Sequence, residues 1–192
     1  MSFFDETKNA GLVLLIIALL GIVFAAIAVF LLDGYKDMEM WKKIVFIIGA
    51  VVGSAVYVIL GLDIMAGSCR FQIGNLFSDV TSKFGVLVAL TAGFGISEVL
   101  NSIISIIAGF DVGGQIGSIV VGILFIVMAF LLAGDNEDAR KVIWIILLIL
   151  YILMLIFSIL ACLVLIGIPM LLLSIFLVTY LLSPEVKSKC GM

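Results

Sequence analysis

The chain is predicted to be an all-α, polytopic transmembrane bundle of about six spanning helices joined by short loops, on three observations. Hydrophobic residues make up 65% of its 192 residues and charged residues only 12%, with a mean hydropathy of +1.46. Water-soluble domains run nearer about half and about a quarter. Uncharged apolar runs recur that can cross about 30 Å of hydrocarbon at about 1.5 Å per helical residue. Several of these runs lack the polar face that a buried helix of a water-soluble protein keeps, and none alternates as the strands of a β-barrel do.

The first run covers residues 10–32 and follows Asp5, Glu6 and Lys8, not the basic region that opens a signal peptide, so it is read as a retained helix. A polar loop from Asp33 to Glu39 leads to the second run, 44–66. The third, 84–109, contains one charge, and the fourth covers 112–133. No charge then intervenes between Lys141 and Glu185. As one helix that stretch would measure over roughly 60 Å, twice the hydrocarbon thickness, so it must fold back. Gly167-Ile168-Pro169 is the best break, because glycine relaxes the backbone and proline cannot donate to the preceding turn. The fifth span is therefore placed at 142–165 and a short sixth at 168–183, closed by Ser183-Pro184. All of 1–192 forms a single transmembrane domain.

Lys8, Arg70, Lys83, Arg140, Lys141, Lys187 and Lys189 fall on one side of this topology, with Lys36, Lys42 and Lys43 on the other. The positive-inside rule then predicts that both termini are cytoplasmic. Trp41, Trp144 and Tyr180 lie near span ends, as interfacial anchors do. The segment 70–80 is mildly amphipathic and is expected to lie along the headgroups, with Phe71, Phe77 and Val80 dipping inward.

Gly21-Ile22-Val23-Phe24 and the residues to Gly34 resemble Gly122-Ile123-Leu124-Phe125 and the residues to Gly134. An acidic loop and a basic pair, Lys42-Lys43 or Arg140-Lys141, follow in each. The match defines a candidate 3+3 inverted repeat, 10–109 and 112–183, an arrangement that secondary transporters use. Spans three and six do not share the match.

Glu98 is the most informative residue. It lies inside the third span, where a charge costs at least about 2.5 kcal/mol. Thr91, Gly95, Ser102 and Ser105 share its helical face, with Asn101 beside them. One reading is a carboxylate that handles protons or cations on a permeation route. The other is a protonated acid hydrogen-bonded to a neighbouring helix, and that packing reading ranks first. Asp63, near the end of span two with Arg70 shortly after, is read as a solvated or paired acid, or alternatively as a second cation site with Glu98. Asp111 is read as a loop acid. Gly49 with Gly53, and Gly113 with Gly117, form GxxxG pairs that let helices approach closely within or between chains.

The chain has no histidine, and Cys69, Cys162 and Cys190 are widely separated, so no metal site or cofactor is expected. No catalytic constellation is legible either, and Gly113-Gly114-Gln115-Ile116-Gly117 lacks the lysine of a phosphate loop. Net charge is −3, which excludes a basic nucleic-acid surface. The leading expectation is a non-enzymatic membrane component whose partners are the lipid bilayer and either further copies or other membrane subunits. A small proton or cation transporter or channel built on Glu98 is the alternative.

Overall fold

The computed structural model describes residues 6–32, 35, 37–70, 73, 75–162 and 167–192. Among them the chain forms helices and no strands: α1 Thr7–Leu31, α2 Met40–Ala66, α3 Lys83–Ile107, α4 Val112–Ala133, α5 Glu137–Ala161, α6 Ile168–Leu181 and α7 Pro184–Lys189.

Local chemistry sets most of the helix ends. Ser82 begins α3 by accepting from the Gly85 N–H, and Asn136 begins α5 by accepting from Ala139. Asp111, read from sequence as a loop acid, accepts from the N–H groups of Gly113 and Gly114 at 3.2 and 3.1 Å and so caps α4. At the other end of α2, Gly67 adopts φ 68°, and the N–H groups of Gly67 and Ser68 satisfy the carbonyls of Ile64 and Asp63. Pro169 sits in the first turn of α6, where its missing donor costs nothing.

Helices α1 to α5 are each long and apolar enough to cross a membrane. The sixth expected span is shorter: α6 has 14 residues, or about 21 Å, less than the hydrocarbon core. Glu6, Thr7 and Lys8 nevertheless share one surface recess with Thr81, Lys83 and Glu185, so the starts of α1, α3 and α7 lie at one end of the bundle. Among the described residues the path therefore has six legs, with α6 as the last. The end that holds these helix starts also carries Arg70, Lys83, Arg140, Lys187 and Lys189 and is the basic end of the bundle.

Consecutive helices pack side by side, and α6 returns to α1 to close the ring, while α3 also touches α6 and α7. Glycines make the tightest joins. A Cβ on Gly61 would lie 2.8 Å from the Gly11 carbonyl across α1 and α2, and one on Gly122 would lie 2.7 Å from the Gly95 carbonyl across α3 and α4. Backbones this close gain dispersion contact, the main attraction left between helices when lipid is as apolar as they are. An aromatic relay continues inward: Phe94 meets Phe125 edge-on at 4.8 Å, and Phe125 stacks on Tyr151 at 6.1 Å. Outward, α4 and α5 present Ile116, Val120, Leu124, Ile149, Phe157 and Leu160, an apolar face far larger than a water-soluble monomer tolerates.

Three expectations for the basic end are corrected. Trp144 is buried, and its indole N–H donates to the Leu181 carbonyl at 2.9 Å, satisfying the last turn of α6. Tyr180 is likewise buried and stacks on Phe176. Phe77 and Val80 dip into the protein with Leu76, not into headgroups, while Phe71 lies outside the described residues. Trp41 is exposed, as an interfacial residue would be.

A clasp closes this end. Glu185 of α7 accepts from the N–H groups of Lys83 and Phe84 at 3.4 Å, in the first turn of α3, whose donors have no acceptor within the helix itself. Arg140 and Lys189 sit over the Phe84 ring at 5.6 and 5.5 Å. Burial pushes the Cys190 thiol up to about 11, with Arg140 opposing, so this cysteine is an inert packing group.

Candidate functional site

Two close helix approaches shape the site. On one side of α3, the absence of side chains at Gly49 and Gly53 lets α2 settle onto Asn101 and Ser97. A Cβ at Gly49 would lie 2.7 Å from Asn101 Oδ1, and one at Gly53 would lie 2.9 Å from Ser97 Oγ. Ser97 donates to the Gly53 carbonyl at 3.1 Å, which ties the two helices at this level. On the other side, Gly122 of α4 packs against Gly95, Val99 and the Cβ of Glu98. Glu98 is thereby held at its base.

Its side chain lines a cavity of about 310 Å³ between α1, α2, α3 and α6. From α3 come Phe94, Ser97, Glu98 and Asn101, and from α2 Phe46, Ser54 and Tyr57. Gly21, Phe24 and Ala28 of α1 form a second wall, and Pro169, Met170 and Leu173 of α6 a third. Tyr35 borders the cavity toward the end opposite the basic one. The volume is that of roughly ten waters at about 30 Å³ each, within the range of small-molecule sites.

Glu98 lies fifteen residues into α3, about 22 Å from its start at Lys83 and about 14 Å from Ile107. That depth is within the hydrocarbon. Among the described residues, no ion pair or hydrogen bond reaches its carboxylate. Tyr57 lines the same cavity together with Ser97 and Glu98.

Only part of the polar stripe inferred from sequence is brought together. Glu98 and Asn101 border the cavity. Thr91 is fully buried elsewhere: its hydroxyl donates to the Leu87 carbonyl at 2.7 Å and pairs with the Tyr151 hydroxyl at 2.6 Å, joining α3 to α5. Ser102 and Ser105 are buried but do not line the cavity. Asp63 is buried at the basic end, where Oδ2 accepts from the Arg70 N–H at 2.9 Å and Oδ1 lies 3.3 Å from Arg70 Nε. It stands ten residues beyond Gly53, about 15 Å along α2 from the level of Ser97, and so does not join Glu98. Gly113 lies in the capping turn of Asp111, and Gly117 has open space around it.

Tyr57 and Ser97 were missed from sequence, and Ser54 was read only as part of the small-residue packing face of Gly49 and Gly53. Ser54 and Tyr57 follow Gly53 at one and four positions, so the glycine pair that marked close packing also marked what it would deliver to Glu98. Among the described residues, no three of Cys, Asp and Glu converge as metal ligands. No family model, curated protein or solved structure matches the chain.

Proposed function

We propose that this integral membrane protein is a small non-enzymatic transporter or channel that admits a proton or cation to Glu98. One observation carries the reading: an intramembrane carboxylate with no partner among the described residues lines a cavity of about 310 Å³. A glutamic acid serving as packing glue needs a donor on a neighbouring helix, and none of the described residues supplies it. A carboxylate without a fixed partner in a space of this size is available to an incoming one. The charge asymmetry supports an orientation with the basic end in the cytoplasm. The proposal does not require the halves 10–109 and 112–183 to be related by an inverted repeat.

Purified protein in liposomes, assayed for proton and alkali-cation flux, tests this reading. Wild type should conduct, and Glu98→Gln should lower the flux at least tenfold. Silence in both, from protein that remains monodisperse, would sink it.

A second reading, a subunit of a larger membrane assembly, is supported by Gly117, a small residue on the outer face of α4 that none of the described residues covers. Disulfide trapping of Gly117→Cys in membranes would reveal a second copy on that face.

A further inference from the structure

We infer that the cavity at Glu98 takes an organic cation, an amine or quaternary ammonium that carries its own apolar surface. This deepens the proposed function and rests on Glu98 as the binding carboxylate. Five aromatic side chains line the cavity: Phe24, Tyr35, Phe46, Tyr57 and Phe94. Met170 and Leu173 add further apolar wall. Glu98 supplies the only formal charge among the described lining residues.

An inorganic cation stripped of water needs a cage of oxygens, six or more for a hard divalent ion. Here the side-chain oxygens belong to Tyr35, Ser54, Tyr57, Ser97, Glu98 and Asn101, interleaved with five aromatic rings. Only Glu98 among them is a carboxylate, and the Ser97 hydroxyl is already committed to the Gly53 carbonyl. An organic cation has the opposite requirement. Its charge is spread over weakly hydrated carbon, it gains from aromatic faces, and it needs one counter-charge, which a single carboxylate provides. The space also fits. A bare ion would leave most of 310 Å³ unfilled, whereas that volume suits a small aromatic or alkyl ammonium.

The rings are held in place. Phe94 is fixed edge-on against Phe125 at 4.8 Å beside the carboxylate. Toward the opposite end, Phe46 is braced by Tyr35 at 5.5 Å and by Phe110 at 5.7 Å. Aromatic surface is thus present both next to Glu98 and toward the end opposite the basic one.

The test uses the full chain in lipid nanodiscs with benzyltrimethylammonium as probe and neopentylbenzene as its uncharged isostere, followed by calorimetry. Wild type should bind the cation saturably and the isostere at least tenfold more weakly. Glu98→Gln should weaken the cation at least about 30-fold, the lower end for removing one partner of a buried charge pair. Phe46→Leu, which keeps the charge, should weaken it about twofold to fivefold. Equal affinity for cation and isostere, or undiminished binding to a folded Glu98→Gln, would overturn the inference. Absence of ammonium binding alongside Glu98-dependent proton or sodium flux would overturn it while leaving the proposed function standing. Absence of both binding and flux removes the two together.

Discussion

The two halves of α3 differ more than any two helices of the bundle. From Phe84 to Gly95 every residue is buried, whichever way it points. From Glu98 to Ile107 only Ser102 and Ser105 are, while Leu100, Ile103 and Ile107 are exposed and Glu98 and Asn101 border a cavity. The first half is a packed axle, surrounded by α2, α4, α5, α6 and α7; the second is a wall. The helix that holds both is the least apolar of the five long ones, and also the most buried. In lipid that pairing is expected. Small and polar residues gain from leaving hydrocarbon, whereas leucine gains little, so the centre goes to the helix with glycine, serine and threonine.

The sharpest way to break the contrast is to force α3 from α4. Gly95→Leu would drive a side chain into the Gly122 carbonyl and Ile126, and should destabilise the bundle by at least about 3 kcal/mol, read as loss of monodisperse protein or a large fall in Tm. Next comes a matched pair. Leu87→Ala, in the fully buried half, should cost about 2–4 kcal/mol, and Leu100→Ala, in the open half, less than about 0.5 kcal/mol. Similar losses in denaturant titrations would mean that the two halves are equally packed. Tyr151→Phe removes only the hydroxyl that pairs with Thr91, and should cost about 0.6–1.7 kcal/mol.

The smallest effect lies at the basic end. Although partial burial pushes Asp79 up, hydrogen bonds from the Ser82 and Thr81 side chains and backbone outweigh it and hold the carboxyl below its ordinary value. A depressed native pKa stabilises the fold above the unfolded value, near about 4, and that contribution is lost as pH falls through the native value. Tm should therefore fall more between pH 5 and pH 3 in wild type than in Asp79→Asn. Equal slopes would remove Asp79 from the start of α3.

Much of the fold was legible in uncharged runs. Five of them became the long helices, and the break at Gly167-Pro169 stands at the start of α6. The misjudged residues, Trp144, Tyr180, Phe77 and Val80, share one cause. Each is an amphipathic or apolar group near a span end, where position along the chain does not say whether lipid headgroups or the last turn of another helix is nearer. The site was legible at Glu98 and Asn101 but overextended along one helical face. Periodicity aligns residues on a helix, and Thr91 had a partner on α5 that periodicity cannot reveal.

Solvent preference is a property of each segment summed over its own residues, so composition alone dictates that this chain lives in a bilayer as helices, with a carboxylate that must be accommodated there. Which face of α3 meets which neighbour depends on contacts between segments distant in sequence. Only the folded arrangement, set by glycine backbones meeting at Gly11 and Gly61 and at Gly95 and Gly122, leaves Glu98 looking into a space lined by aromatic rings.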